Sequence, residues 1–470
     1  MDENLIVFVN RRKKLTTREE LEKCSKEELI NRILQLETHN QQLKNVLKKE
    51  LNITDTNAKI AKQKKFDFTN RHTRHVLLKL YYLGWDYQGF ATQEESAKTI
   101  EYHLFTALKR TCLIEKRENS NYHRCGRTDK GVSAFSQVIS IDLRSKFPPE
   151  KQMTEEAIKN EIHYCDALNR VLPLDIRVVA WQPLYNPEFS SRFDCRERVY
   201  RYFFPRSNLN VDAMQQACKY LIGVHDFRNL CKMDVGNGVI TFERELRNVR
   251  VVEACRKSDG CSPYDMHYVE LIGKAFLWHQ VRAIMAILLL VGQEDEKPEI
   301  INELLNVKRN PRTPQYSLAA DFPLNLFHVE MENYSKNTVP IGDFIIETHD
   351  WIYDSFTLQR VIGALQQQWT QFSVRSHMIL EMLKVLEDIY ENKMGESHIY
   401  KYCNALQEGV RSKIYKPLFT RDKCNSLEDR IEHYAKKRRI DIINSNEAAQ
   451  RKLDQANRTE TNCEKMDTQS

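Results

Sequence analysis

Twelve cysteines lie along the 470 residues, and no two of them form a CxxC pair. That scatter excludes the common zinc motifs and a disulfide framework, and it predicts a reduced, intracellular protein. Long apolar runs are lacking as well. The longest, Ala283 to Val291, falls far short of the ~20 residues of a membrane span, and no apolar N-terminal stretch resembles a signal peptide. Neither a P-loop nor a dinucleotide-binding glycine fingerprint is present. Charge of one sign is scarce: 71 Lys and Arg against 65 Asp and Glu leave a net +6. Attraction to a nucleic acid would therefore have to come from local patches. What is present is 41% hydrophobic and 10% aromatic residues, enough for a sizeable core, over a length that predicts two or three units.

The chemistry-bearing stretch is His123 to Ala134. It sets one carboxylate, Asp129, among Arg124, Arg127 and Lys130, on a turn punctuated by Gly126 and Gly131. Paired glycines let the backbone take positive φ and approach something bulky. From Phe135 to Leu143 apolar residues alternate with polar ones, so the turn opens a half-buried strand. A carboxylate among cations stays ionised, which suits a nucleophile or base, and the cations attract a polyanion. The same features also fit a surface loop whose aspartate balances local charge.

Around this loop the patterns alternate between strand and helix. Val76, Leu78, Leu80 and Tyr82 predict a central strand, and Thr99 caps a helix with Ile100, Leu104 and Leu108 on one face. After the Asp129 strand come one helix through Ile158, Ile162, Cys165 and Leu168 and a strand over Ile176 to Trp181. This order fits a ferredoxin-like α+β unit, which RNA-recognition modules also use. A second set follows. In the strand Arg198 to Phe204, Tyr200, Tyr202 and Phe204 share a face beside Arg198. Such a face is either a base-stacking platform or packed core. Next are a helix over Val211 to Leu221, strands at Val249–Glu253 and His267–Ile272, and a helix entered by Arg282 and stopped by Gly292. That last helix is apolar all round and must be buried. Its arginine, close to the positive end of the helix dipole, needs a carboxylate, and Asp129 is the obvious one.

The ends of the chain read differently. Ser25 and Glu28 form a capping box, followed by Leu29, Ile33, Leu36, Leu43 and Leu47 with Asn40 on the same stripe. This predicts a short coiled-coil helix over 25–51, or a helix lying on its own domain or on RNA. Two helical patterns lie near Phe356–Leu365 and Ile379–Leu386, and a third ends in the basic run Lys436 to Arg439. That run suits an RNA surface, a nuclear-import patch or a solvated helix face. Residues after Asp441 are polar and predicted to be disordered.

Four stretches carry a family resemblance. Gly126 to Ala134 (GRTDKGVSA) resembles the signature loop of the TruA family of tRNA pseudouridine synthases, with Lys130 and Ser133 where bacterial members usually carry Ala and His. Gly84 to Glu94 is similar to the family's opening loop, Asn169–Arg177 with Phe189–Phe193 and Arg198–Phe204 to its middle block, and Gly273–Arg282 to its last motif. The resemblance covers roughly 74–335 and points to the eukaryotic branch. It implies an α+β fold of two tandem ferredoxin-like (RNA-recognition-like) lobes that form one mixed sheet with a central catalytic cleft, plus helical N- and C-terminal extensions. The corresponding segments are an extension at 1–73, lobes at 74–193 and 194–335, a helical extension at 336–440 and a tail at 441–470.

The resemblance further implies uridine-to-pseudouridine isomerisation at positions 38 and 39 of the tRNA anticodon stem-loop, with the branch acting at 27 and 28 as the alternative. In that reading Asp129 starts glycosidic cleavage, Arg282 holds Asp129, and Tyr200 stacks on the uracil. Arg127 contacts the backbone or fills the gap of the flipped nucleotide, and Arg124, Lys130 and Arg198 bind the substrate. The reaction is redox-neutral and keeps every atom, so no cofactor and no metal is expected. The expected partners are tRNA and a second copy of the chain, with no membrane, in nucleus and cytoplasm. Two rivals are a non-catalytic RNA-binding protein and a metal-dependent nuclease. The second would need clustered carboxylates.

Overall fold

The computed structural model describes residues 25, 27–30, 32–38, 66–94, 96–184, 186–239, 241–255, 263–331, 337–341, 344–348, 351–394, 406–409 and 414–438. They divide into two units, Met1–Asp67 and Phe68–Ser470. In the first, a helix occupies 27–30 and 32–38. The capping box closes reciprocally: the Ser25 N–H donates to Glu28 Oε2 at 2.8 Å, and the Glu28 N–H donates to Ser25 Oγ at 3.2 Å. Ile33, Leu34 and Leu36 are exposed. Asn40, Leu43 and Leu47 lie outside the described residues, as does the tail after Asp441.

The second unit is a mixed α+β body built on one nine-stranded sheet. Its strands are β1 (His72–Tyr82), β2 (His123–Arg124), β3 (Ser133–Ser145), β4 (Ile176–Pro183), β5 (Cys195–Pro205), β6 (Gly223–Asp226), β7 (Glu243–Cys255), β8 (Met266–Gly273) and β9 (Leu324–Met331). They lie in the order β4-β1-β3-β9-β5-β8-β7-β6, with β2 paired to β3. Pairing is antiparallel except between β3 and β9, which run parallel over two residue pairs, Ser133–Asn325 and Ala134–Leu326. β1 buries both faces, as its near-continuous apolar run requires.

Helices α1 (Ile100–Arg110), α2 (Glu155–Lys159), α3 (Tyr164–Asn169), α4 (Val211–Tyr220), α5 (Gln280–Gly292) and α6 (Ile300–Leu305) accompany this sheet. Thr99 caps α1 by accepting from the Tyr102 N–H. The single helix expected through Ile158 and Leu168 is two, α2 and α3. Between them Glu161 turns inward, where it pairs with Arg74 at 3.0 Å and accepts from Ser145 Oγ at 2.6 Å. Satisfying that buried carboxylate interrupts the helical ladder. All thirteen residues of α5 are buried. Gly292 is its last helical residue rather than a stop beyond it; a Cβ there would lie 2.7 Å from Met214 Sδ, so the glycine admits α4.

The region expected to be wholly helical after residue 336 opens with a hairpin, β10 (Asn337–Ile341) and β11 (Phe344–Thr348). The two helical patterns that follow are one 40-residue helix, α7 (Ser355–Met394), and α8 (Leu427–Arg438) comes last. No helix among the described residues is long and apolar enough to cross a membrane.

Candidate active site

The loop that joins β2 to β3 is held from both sides. The Phe90 N–H donates to the Thr128 carbonyl at 3.1 Å, and the Gly131 N–H donates to the Tyr87 carbonyl at 3.1 Å. Tyr82 and Thr128 join their hydroxyls at 2.7 Å, and Gln137 Nε2 donates to the Gly126 carbonyl at 3.0 Å. The stretch after β1 therefore forms a bed for the Asp129 loop. Gly131 has φ +76°, and a Cβ on it would sit 2.4 Å from the Asp321 carboxyl carbon. A side chain is excluded here by conformation and by space.

Asp129 faces a ring of groups from four other segments. His279 Nε2 lies 3.7 Å from Asp129 Oδ2. Burial raises the carboxyl above its ordinary range; Arg282, the Trp278 side chain and Lys232 oppose this, and Asp321 adds to it. The expectation that cations alone would keep it ionised is corrected on this point: desolvation is the largest influence. Burial, with Arg282 and Lys232 nearby, pulls His279 down to about 4. The imidazole is consequently neutral at pH 7, and its contact with Asp129 is not an ion pair there. Lys232 Nζ sits 4.1 Å from the centre of the Trp278 ring, which fixes both beside the loop.

Arg282 departs from the expected pairing. Its Nε donates to the Ala319 carbonyl at 2.8 Å, and its Nη2 pairs with the Glu408 carboxylate. Asp129 feels the guanidinium through space rather than by direct contact. The physical reason is that a short segment, 406–409, lies against 318–320: the Ala320 N–H donates to the Leu406 carbonyl at 2.9 Å and the Glu408 N–H to the Leu318 carbonyl at 3.0 Å. That pairing delivers a carboxylate to the arginine.

Tyr200 stands on β5 between Leu271 of β8 and Leu326 of β9, beside a register shift in the β5–β9 ladder. It is buried edge-on against Phe276 at 4.9 Å between ring centres. Burial raises its phenol, Arg198 opposes, and Asp129 raises it further, so the hydroxyl is protonated at neutral pH. Arg198 donates to the main-chain carbonyls of Cys125 and Lys274, with Nε at 3.1 Å from the former. It thus ties the Asp129 loop to the turn after β8. Arg124 pairs with Glu101, a fully buried acid that also holds Arg117 at 3.1 Å and Tyr122 at 2.7 Å. Arg127 and Lys130 are exposed, and the proximity of Arg124 and Arg192 makes Arg127 easier to deprotonate than usual. The sequence-expected residues Asp129, Tyr200, Arg198 and Arg282 gather at one place, with Arg127 and Lys130 on the Asp129 loop and Arg124 at the end of β2 that leads into it. Lys232, His279, Trp278, Asp321 and Glu408 were not foreseen there.

This geometry defines a half-buried carboxylate under a cationic rim, next to a sheet-borne tyrosine. Residues 217–332 match the sequence model of a tRNA pseudouridine synthase family. The chain belongs to that family, the TruA family, and by class it is an isomerase. It is 45% identical over 445 residues to the tRNA pseudouridine(38/39) synthase of Mus musculus, covering 88% of this chain and 89% of the mouse protein. The human tRNA pseudouridine(38/39) synthase is 45% identical over 443 residues, with the same two coverages of 88% and 89%. The tRNA pseudouridine synthase A of Methanothermobacter thermautotrophicus is 27% identical over 322 residues, which is 68% of this chain and 99% of the archaeal one.

Proposed function

We propose that this protein isomerises uridine to pseudouridine at positions 38 and 39 of tRNA, in the anticodon stem-loop; the names of its mouse and human relatives carry tRNA and the same two positions. The observation that carries the site assignment is the placement of Asp129. It is the one acid of its loop, on a segment pinned by main-chain hydrogen bonds, half-buried, and within the field of Arg282 and Lys232. The target base leaves the stack to reach it. Asp129 begins the reaction at the ribose, by attack on C1′ or by removal of the C2′ proton, and the N1–C1′ bond breaks. The uracil turns and C5 bonds to C1′, either displacing the Asp129 carboxylate from C1′ or with the proton returned to C2′; C5 then loses its proton and N1 gains one. Tyr200 presents its ring and a neutral hydroxyl to the freed base. Arg198 keeps the loop seated on the second side of the sheet, and Arg127 and Lys130 meet RNA phosphates.

Asp129→Asn is expected to bind tRNA normally and to lose at least about 1,000-fold in turnover. Tritium release from 5-tritiated uridine in tRNA measures this, and full turnover by the variant would remove the assignment. Mapping pseudouridine in cells lacking the protein, with wild-type or variant rescue, tests the positions.

Two strand orders support tandem ferredoxin-like lobes, at about 74–193 and 194–335. β4-β1-β3-β2 and β9-β5-β8-β7 each follow the 4-1-3-2 order of a β-α-β-β-α-β unit. A homodimer is supported by α7. Trp369, Met378, Ile379, Met382 and Leu386 are all exposed on a helix about 60 Å long, enough surface for a standard interface with a second copy. Solution mass of the pair Met382→Glu, Leu386→Glu should fall to that of one chain. Action in both nucleus and cytoplasm completes the reading. It is tested by imaging a tagged chain with and without the basic run that begins at Lys436.

A further inference from the structure

Glu408 lies 126 positions beyond Arg282 in sequence, yet its carboxylate meets that guanidinium directly. The segment that brings it is anchored rather than loosely apposed. Leu406 is buried in the main core, Gln407 bridges Ala319, and two main-chain hydrogen bonds flank the bridge. Gly409, at φ +85°, turns the chain beside Ser317. Arg282 is 5% exposed and Glu408 49% exposed, so a buried cation is partnered by an acid that reaches solvent.

On the reading that Asp129 is the reacting carboxylate, we propose that Glu408 is a positioning residue for the isomerisation: it fixes the Arg282 guanidinium and offsets part of that cation's field at Asp129. The arginine has two anionic clients. One touches it, and the other is reached through space. Around Asp129 the other charged or titratable groups are Lys232 from the segment before β7, His279 from the turn before α5, Asp321 from the segment before β9 and Tyr200 from β5. Among the described residues no hydrogen bond or ion pair joins any of these to the Glu408 side chain, whose partner is Arg282.

The test is the pH dependence of kcat/KM for Glu408→Gln with a tRNA substrate. Glutamine keeps the shape and an acceptor oxygen but removes the charge, and this leaves the arginine's field to Asp129. The acid limb should move to lower pH, which makes the variant about threefold or more faster, relative to its own plateau, one pH unit below the parent's midpoint. Glu408→Asp, which keeps the charge, should restore the parent's limb. Superimposable limbs for Glu408→Gln and parent, or a shift to higher pH, would overturn the inference. The same holds for a variant whose only change is a lower melting temperature with an unmoved limb. Asp129→Asn runs alongside: turnover that does not depend on Asp129 would instead remove the functional reading beneath.

Discussion

Helices α5 and α7 are both rich in apolar side chains, yet α5 buries all thirteen of its residues and α7 buries two of 40, Thr357 and Val361. Composition already parts them, since α5 is apolar but for Gln280 and Arg282 whereas α7 interleaves its apolar residues with charged ones; surroundings complete the difference. α5 lies in the main core with α4 against it through Gly292, and its first turn reaches the site through Arg282. α7 touches the body at a few places, including Trp85 against Phe372 and the Tyr264 hydroxyl on Glu387 at 2.6 Å. Most of its remaining apolar residues are exposed or half-buried. An apolar stripe predicts burial only once something is available to bury it.

The contrast can be broken by mutation. Leu288→Ala in α5 empties a fully buried position and should cost about 2–5 kcal/mol by urea denaturation. A cost below 1 kcal/mol would mean that the helix is less tightly enclosed than described. The next effect concerns the charged end of α5. The folded state holds His279 at about 4, below its ordinary 6.5, so between those values the unfolded chain binds more protons. Stability should fall as pH drops from 6.5 toward 4, with a contribution of about 1–3 kcal/mol from this group. Asp129 acts with the opposite sign: its raised pKa makes the folded state the better proton binder, so it regains stability as pH falls through its titration. Melting temperatures of the parent and His279→Asn over this window isolate the first term, and parallel curves would contradict it. The smallest effect belongs to α7. Ile379→Ala, at an exposed position, should alter the stability of the single chain by no more than about 0.5 kcal/mol.

Local signals carried much of this architecture. The period-two run after Asp129, the Thr99 cap and the unbroken apolar stretch of α5 each specify an element without help from the rest of the chain. The gathering of Asp129, Tyr200 and Arg282 came from motif resemblance rather than pattern, since their separations of 71 and 82 positions carry no periodic signal. What stayed hidden depended on long-range partners. Glu161 breaks a helix because Arg74, far upstream, needs it. Glu408 sits in a segment with no periodicity, so nothing local announces that it reaches Arg282. Nothing around His279 in sequence marks its environment, and burial beside two cations moves its titration from 6.5 down to about 4. Gly292 reads as a terminator because the side chain it accommodates, Met214, lies on another helix.

The parallel seam between β3 and β9 is two residue pairs long and begins at Ser133, four residues after Asp129. In mechanical terms it is a short join where β1, β3 and β4 meet β9 and the strands beyond it. If the sheet flexes there, the outer strands β4 and β6 sweep through the longest arcs and Asp129 through one of the shortest.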